Sequence, residues 1–494
     1  MKIVLNGLLV LSLFAALVIP SFAGDAADLT MKEEVLKLQK MVMDLQKRIQ
    51  QLEKEKTGTY TRTSVTPQQA KPESAKKAPV KGAPAQPETK AKAPSPLKKA
   101  KTDTVGANAP EPLQIGGHEV RAGIEGAIQV DAIHDFNALG LTPDGTALRE
   151  FITAEIPVGG PAAQINNKTG FSPNQSYLAG WAETDTPWGP LRVYADVNLM
   201  GSTTSPEFQI YKAYAQWGWL KAGLDYTIWL NQDAMPDTLD FEGPGSIPEV
   251  RFTQASLKIP LQPDTNKRHL FFTLGVEDAP ADVTTPSTPS GVTMVNQIPA
   301  VIGKISYEPD WAHIEVGGLY RRLRAEGPGY DQSLNGWGLA LSGNVDAWKN
   351  DSFLWGVQYG NALGAYFQDT AGFGLDAAPT SANNSDLKVI PAFGAWAGYQ
   401  HWWTKSLRSS ATYGYVRMDT DFNLYPSPPN SGTYKQTHYA SANLIWSPWP
   451  PFDVGLEYMF GHRTVTDSTA VDGSTTGQNH RLQFTMRWNF KYDR

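Results

Sequence analysis

Residues 481–490 read RLQFTMRWNF, and every second side chain in this stretch is large and apolar. Polar or charged residues separate the apolar ones, which are Leu482, Phe484, Met486, Trp488 and Phe490. Side chains of a β-strand point alternately to its two sides, so the pattern predicts a strand with one apolar and one polar face. The fold depends on whether the apolar face packs into a protein core or meets lipid.

The same alternation recurs throughout residues 113–494, for example at 123–132, 191–199 and 452–463. The segments are about ten residues long, which is enough to cross a bilayer as a tilted strand. Short polar turns and long loops rich in Gly, Pro and Asn join them alternately. This arrangement is typical of a transmembrane β-barrel, with short turns on the periplasmic side and long loops outside.

The alternative is a β-sandwich or a soluble barrel, whose apolar strand faces would point into a core. Tryptophans help to decide between the two, because many of them lie at strand ends beside the short turns: Trp188, Trp311, Trp348, Trp402, Trp403, Trp446 and Trp449. A membrane interface places aromatic residues at such positions, whereas a sandwich core would hold most of them in mid-strand. The pattern therefore favours the membrane barrel.

The number of strands follows from parity. Seventeen segments fit the pattern, but bacterial single-chain barrels have an even number of strands and both termini on one side. Residues 149–158, REFITAEIPV, have no short turn on either side, so we assign them to a first long loop at about 136–174. The sequence thus predicts an all-β transmembrane barrel of about 16 antiparallel strands, a size that leaves a water-filled interior.

The N-terminus predicts export. Residues 1–23 combine Lys2, an apolar run and the small residues Ser21 and Ala23, as in a signal peptide that is removed before Gly24. A retained membrane anchor is the alternative. The chain contains no Cys, which excludes a disulfide framework, a thiolate metal site and a Cys nucleophile.

Residues 24–56 contain a heptad-like repeat with apolar residues at Met31, Val35, Leu38, Val42, Leu45, Ile49 and Leu52. Alternating spacings of four and three predict a short periplasmic coiled coil, and therefore an oligomer. A single amphipathic helix on a surface is the alternative. By the usual rule, β-branched and Leu residues at these positions favour two strands.

Residues 57–112 are rich in Pro, Ala and Lys, and they predict a disordered linker because nothing in them can form a core. Residues 24–112 hold 17 Lys+Arg against 11 Asp+Glu, whereas residues from 113 onward hold 25 against 38. The excess of Lys in the linker can bind polyanionic cell-wall material such as peptidoglycan, or simply keep a spacer solvated.

Several stretches together resemble the DcaP-like porins of the Gram-negative outer membrane: residues 181–199, 211–254, 456–463 and 481–490. The resemblance covers the whole body and extends to an N-terminal coiled coil. It implies a homotrimer of sixteen-stranded barrels with a basic pore suited to small anionic solutes such as dicarboxylates. Two features depart from the family pattern. The heptads favour a dimer rather than a trimer, and the residues KYDR follow Phe490, whereas outer-membrane barrels usually end on an aromatic residue.

The phase of the strands places a set of cations on the lumen side, where they would favour anions over cations: Arg192, Lys212, Lys304, Arg321, Arg463, Arg481 and Arg487. Arg251 is out of phase but lies at a loop end from which it can reach the mouth. The loop at 231–248 is expected to fold inwards as a constriction loop, and it carries Asp233, Asp237, Asp240 and Glu242. The alternative role for any of these charges is pairing within the barrel wall.

Catalysis is not expected, because the motifs of serine hydrolases, zinc proteases and phosphate-binding loops are missing from the sequence. The eight His residues are scattered without metal-ligand spacing, so no metal, cofactor or nucleic acid is expected either. We predict an outer-membrane diffusion porin in contact with lipid, with its N-terminal region in the periplasm. The alternative is a tether in which the barrel anchors the coiled coil and linker to the cell wall.

Overall fold

The computed structural model describes residues 113–115, 118–140, 149–201, 206–262, 269–284, 291–348, 350–379, 386–420, 433–466 and 472–493. The predicted signal peptide, coiled coil and linker of residues 1–112 lie outside these described residues. No helix among the described residues is long and apolar enough to span a membrane.

Strands make up most of the described chain. In chain order they are β1 (Leu113–Ile115), β2 (His118–Asp135), β3 (Lys168–Ser172), β4 (Tyr177–Thr186), β5 (Gly189–Asn198), β6 (Gln209–Trp217), β7 (Leu220–Tyr226), β8 (Arg251–Pro260), β9 (Leu270–Glu277), β10 (Thr293–Asn296), β11 (Ala300–Tyr307), β12 (Ala312–Gly327), β13 (Tyr330–Trp348), β14 (Asp351–Asn361), β15 (Ala377–Pro379), β16 (Leu387–Val389), β17 (Pro391–Trp402), β18 (Leu407–Met418), β19 (Tyr434–Trp449), β20 (Phe452–Val465) and β21 (Thr476–Asp493). Short 3₁₀ turns occupy Thr153–Glu155, Pro161–Gln164, Gln232–Ala234 and Gly364–Tyr366.

All the strands except β15 and β16 form one closed antiparallel sheet, and β15 and β16 pair with each other in a separate two-stranded sheet. Consecutive strands pair with each other, and β21 returns to pair with β2, where Trp488 lies opposite Ile128. Both β3 and β4 pair with β2, and both β10 and β11 pair with β12, so each of these couples is one interrupted barrel strand. Within the described part of the chain, sixteen strands therefore close the barrel, which confirms the predicted fold.

The connections differ between the two ends of the barrel. One end, which we call the short-turn end, carries the turns at 187–188, 218–219, 261–269, 308–311, 349–350, 403–406 and 450–451. The long-loop end carries the other connections, the first of which spans 136–167. Residues 149–158 lie within it and form a 3₁₀ turn rather than a strand, as the parity of the strands predicted.

The polarity of the wall is inverted relative to a water-soluble protein. On β21 the side chains of Arg481 and Gln483 are fully buried inside the barrel, whereas Phe484, Met486 and Trp488 are 41%, 45% and 54% exposed on its outside. Apolar residues on the outer face match a lipid environment. A closed barrel also suits lipid because its backbone groups find hydrogen-bond partners within the sheet.

Aromatic residues surround the short-turn end. Trp188, Trp311, Trp403, Trp446 and Trp449 are all exposed there, at or next to the turns. Indole rings prefer the boundary between hydrocarbon and headgroups because one part of the ring is apolar and the N–H can donate a hydrogen bond. The predicted aromatic girdle is therefore present in the structure.

The last strand is longer than the sequence pattern indicated. β21 continues through the KYDR segment to Asp493, which pairs with Gly123, and Tyr492 pairs with Ile124. Tyr492 keeps the outward phase of Phe484 and Trp488 and is exposed. An outward aromatic residue therefore follows Phe490 within the KYDR segment of the same strand.

Candidate functional site in the barrel lumen

The described parts of three long-loop connections contact the inward faces of the wall strands. We call them L1 (residues 136–167), L3 (227–250) and L6 (362–390). Buried apolar side chains of L3 and L6, such as Trp229 and Phe367, form one cluster with inward apolar residues of the wall, including Ile302, Leu319 and Val416. These connections therefore pack against the inside of the barrel instead of extending away from it.

L3 is held by hydrogen bonds to the inward faces of β17, β19, β20 and β21. Trp396 donates its indole N–H to the carbonyl of Ala234 at 2.9 Å. Asn443 and Gln483 donate to the carbonyls of Asp237 and Leu239 at 2.7 and 3.0 Å. These bonds satisfy backbone groups of L3 that would otherwise be buried without partners.

Glycines on the inward faces of the wall let L3 approach closely. A Cβ atom on Gly414 would lie 2.5 Å from Cβ of Pro244, and one on Gly455 would lie 2.6 Å from a methyl group of Leu239. Both distances are far below van der Waals contact, so a larger residue at Gly414 displaces Pro244 and a larger residue at Gly455 forces the Leu239 side chain to move. The wall sequence is thus adapted to the path of L3.

Asp369 of L6 links L1 to the wall. Its buried carboxylate accepts hydrogen bonds from the Thr153 hydroxyl at 2.7 Å and the Ala154 amide at 2.8 Å, both in L1. It also accepts from Tyr434 at 2.9 Å and Thr437 at 2.6 Å on β19. One side chain therefore holds two connections and one strand in a fixed relation.

Five of the predicted lumen cations point inwards, and each of them contacts a carboxylate or a backbone carbonyl. Lys304 contacts Glu315 at 2.7 Å, Arg321 contacts Asp376 of L6 at 2.9 Å, and Arg481 contacts Asp135 at 2.8 Å. Arg487 contacts Asp453 at 2.8 Å, and Arg463 donates to the carbonyl of Ile156 in L1 at 3.2 Å. These cations are braces of the wall and of the connections.

The remaining three predicted cations lie along β5, β6 and β8. Arg192 stacks over the indole of Trp181 at 4.6 Å and Lys212 lies 3.1 Å from Asp196. Arg251, predicted to be out of phase, stacks over the ring of Tyr211 at 3.7 Å and donates to its carbonyl.

The acids predicted for the constriction loop bind different partners. Asp233 contacts His313 of β12, and Asp237 pairs with Arg408 of β18 at 2.7 Å. Asp240 accepts from the amides of Phe151 and Gly243. The prediction missed Arg408, although it shares the inward phase with Ser410 and Thr412, and that phase could have identified it.

Burial changes the protonation of the L3 acids. Burial raises the pKa of Asp240 to about 6 and that of Glu249 to about 8, and it raises the pKa of Glu242 well above its ordinary value. Neighbouring carboxylates, with Glu150 of L1 the largest contributor, add to the effect on Glu242. L3 therefore carries less negative charge at neutral pH than its composition indicates.

Cations on β6 and β7 lie beside inward aromatic rings. Lys212 lies 5.1 Å from the ring centre of Tyr194, and Lys221 lies 5.4 Å from that of Tyr214. The two tyrosines stack with their centres 5.2 Å apart. The prediction missed this aromatic row, although both rings have the inward phase of the neighbouring cations.

Residues 158–480, more than half of the chain, match the family described as Porin subfamily. The barrel is also similar to the outer membrane channel DcaP of Acinetobacter baumannii, with a TM-score of 0.62 and 16% identity over 77% of this chain and 100% of that chain. The anion-selective porin from Comamonas acidovorans matches at a TM-score of 0.45 and 9% identity, covering 75% of this chain and 100% of that chain.

A loop-deletion mutant of OmpT from Vibrio cholerae matches at a TM-score of 0.43 and 10% identity, over 75% of this chain and 99% of that chain. No curated protein matches the sequence. The DcaP similarity demonstrates the fold, and the family match covers most of the barrel. The chain therefore belongs to the porin subfamily, whose members are β-barrel channels of the Gram-negative outer membrane.

Proposed function

We propose that this porin admits small anionic solutes by passive diffusion. The observation that supports this most directly is the arrangement of the lysine–carboxylate pairs on β5–β9. In the Lys212–Asp196 pair the side chains are 11% and 2% exposed, and in the Lys221–Asp225 pair they are 28% and 6% exposed. In each pair the lysine side chain is more exposed than the side chain of its carboxylate partner.

The Lys258–Glu308 pair has the same asymmetry, because the Lys258 side chain is 45% exposed and that of Glu308 is 24% exposed. A row of cations in front of their counter-ions lowers the barrier for an anion and raises it for a cation. The resemblance to DcaP-like porins implies dicarboxylates as the solute class. Salt bridges hold the lysine side chains in place, and the carboxylate partners offset part of their positive potential in the lumen.

L3 is the constriction loop in this proposal. It packs across the lumen from β8 to β21 and leaves the wall of β5–β8 as the more exposed inner surface. Glu249 of L3 has a pKa of about 8 and is therefore mostly protonated at neutral pH. The constriction loop thus opposes an anion less than its acidic composition implies.

The test is the reversal potential of the channel in planar bilayers under a KCl gradient. We expect the unmodified porin to prefer chloride, and the double variant Lys221→Gln, Lys258→Gln to lose about half or more of that preference. Lys405→Gln is the matched control, because this exposed lysine lies in the turn at 403–406 and away from the lumen row.

Absence of any channel current would refute the porin proposal itself. A cation preference of the unmodified porin, or an equal effect of the Lys405→Gln control, would refute only the anionic part. The two levels of the proposal are therefore tested separately by one set of recordings.

The proposal also covers residues 24–112, which precede the barrel. We propose that residues 24–56 form a periplasmic coiled coil in a homotrimer and that residues 57–112 are a spacer, with cell-wall tethering as their alternative role. Deletion of residues 24–112 should leave single-channel conductance unchanged in both cases. Loss of co-sedimentation with purified peptidoglycan after this deletion would support the tether, and unchanged sedimentation would contradict it.

A further inference from the structure

A histidine lies between three carboxylates where the β11–β12 connection meets L3. His313 Nε2 lies 3.0 Å from Glu315 Oε1 and 3.5 Å from Glu308 Oε1. On the other side of the ring, Nδ1 lies 2.8 Å from Asp233 Oδ2 of L3. The potential ligand atoms of Glu308, His313 and Glu315 all lie within 4.8 Å of one another.

The separation between His313 and Glu315 is close to that between ligands of a tetrahedral zinc ion. Zinc binds His nitrogen and carboxylate oxygen at about 2.0–2.2 Å, which places neighbouring ligand atoms of a tetrahedron about 3.3 Å apart. His313 Nε2 and Glu315 Oε1 are 3.0 Å apart, and the ligand atoms of all three residues lie within 4.8 Å of one another. A small divalent ion can therefore bind here if the Glu308 side chain moves closer.

The position of Asp233 strengthens this interpretation. If Nδ1–H donates to Asp233, Nε2 faces Glu308 and Glu315 and can either donate a proton to Glu315 or, without that proton, offer its lone pair to a metal ion. A carboxylate that orients a metal-binding histidine through its other nitrogen is the usual outer partner of zinc sites. Here L3 supplies that partner, whereas the β11–β12 region supplies the three ligands.

Two lysines contact the carboxylates of Glu308 and Glu315, and a metal ion has to bind beside them. Lys304 contacts Oε2 of Glu315, so Oε1 of Glu315 remains directed at His313. Lys258 and Ser306 both contact Oε1 of Glu308 at 2.6 Å. Each carboxylate oxygen has two lone pairs, so Oε1 of Glu308 is occupied by these two contacts and a metal ion would bind Oε2 of this carboxylate. The lysines also balance two of the carboxylate charges.

We propose that Glu308, His313 and Glu315 form a binding site for a divalent transition metal ion such as Zn²⁺, with Asp233 as the positioning residue. His and carboxylate donors suit zinc better than the hard ions Mg²⁺ and Ca²⁺, which prefer all-oxygen sites. A lumen water completes the coordination. The sequence expectation of no metal site rested on the spacing between histidines and did not weigh a single histidine with two acids.

The test is isothermal titration of ZnCl₂ into the full-length porin in detergent after removal of bound metal with a chelator. We expect His313→Gln to lose one zinc site per chain. Asp233→Asn should keep the site but weaken its affinity by about 10 to 100-fold, the usual effect of losing such an outer partner. Resistance of each variant to unfolding in SDS at room temperature shows that its barrel is folded.

Two histidine variants serve as controls. His401 binds one carboxylate, that of Asp351, but lies outside the Glu308–His313–Glu315 group, so His401→Gln should retain the site. His438 and His462 have rings 5.9 Å apart and could bind zinc on their own. Unchanged titration of His313→Gln, loss of the site in His438→Gln instead, or no zinc uptake by the unmodified porin would overturn the proposal.

Discussion

At the scale of single residues, the alternation of β21 predicted the direction of each side chain but not its partner. Arg481 points inwards as its phase required, and its guanidinium binds both oxygens of Asp135 at 2.8 and 3.0 Å. The two residues are 346 positions apart and meet only because β21 closes onto β2. Phase is a local property, whereas a partner across the closure depends on the register of the whole sheet.

Replacement of Asp135 tests whether Arg481 is a brace. Asp135→Asn keeps the shape of the side chain but leaves a guanidinium with 0% exposure facing a neutral group. Removal of one partner of a buried ion pair typically costs about 3–5 kcal/mol. We expect a loss of this size in the free energy of unfolding, measured by urea titration of the porin in lipid vesicles and followed by tryptophan fluorescence.

The matched control for this prediction is an ion pair open to solvent. Arg324 and Asp331 form two hydrogen bonds near the 328–329 turn, and the Asp331 side chain is 61% exposed. Asp331→Asn should leave the unfolding curve nearly unchanged, because exposed ion pairs contribute little. Similar losses in both variants would contradict the brace role of Arg481.

At the scale of elements, the sequence made L3 a candidate for folding inwards, but it did not make L1 or L6 one. L3 is long and rich in turn residues, which made it a candidate for folding inwards. L6 has a comparable composition, yet nothing local marks it for burial. Its course depends on distant wall residues, as in Asp369 binding Tyr434 and Thr437. Such contacts are set by tertiary structure and are invisible to local patterns.

Packing of L3 should depend on pH through Glu249. Burial raises the pKa of this acid to about 8, above its ordinary value of 4.5, so the docked state binds a proton more tightly than an undocked L3. Stability of the docked state is therefore fully present at low pH and decreases as pH rises from about 4.5 to 8, by on the order of 5 kcal/mol in total. We expect larger current fluctuations of the open channel at pH 8.5 than at pH 5.

Glu249→Gln separates this residue from other titrating groups. The amide oxygen of Gln can still accept the hydrogen bond that Tyr226 donates to Glu249 at 2.9 Å, but it cannot ionise. The pH dependence of the fluctuations should therefore become weaker in this variant. Glu326→Gln, at the end of β12, is the control that should keep it. An unchanged pH profile in Glu249→Gln would contradict the role of this acid.

At the scale of the whole molecule, the sequence predicted the closed barrel well because its evidence is repeated in every strand. Alternation gave the two faces, and parity placed residues 149–158 in a connection. The limits of strands were less predictable, as the extension of β21 to Asp493 demonstrates. Backbone pairing continues past the apolar band, because the sheet needs partners also where the side chains no longer face hydrocarbon.

The inverted polarity of the barrel predicts that the cost of a charge depends on its depth in the bilayer. Met486 lies in the middle of the outward row of β21 and is 45% exposed, whereas Thr476 is exposed at the long-loop end of the same strand. Arginine on the lipid face costs about 2–4 kcal/mol at the bilayer midplane and about 0–1 kcal/mol near the interface. Met486→Arg should therefore lower the free energy of unfolding in vesicles by the larger amount and Thr476→Arg by the smaller one. Equal effects would mean that the outer face of β21 does not meet a hydrocarbon layer.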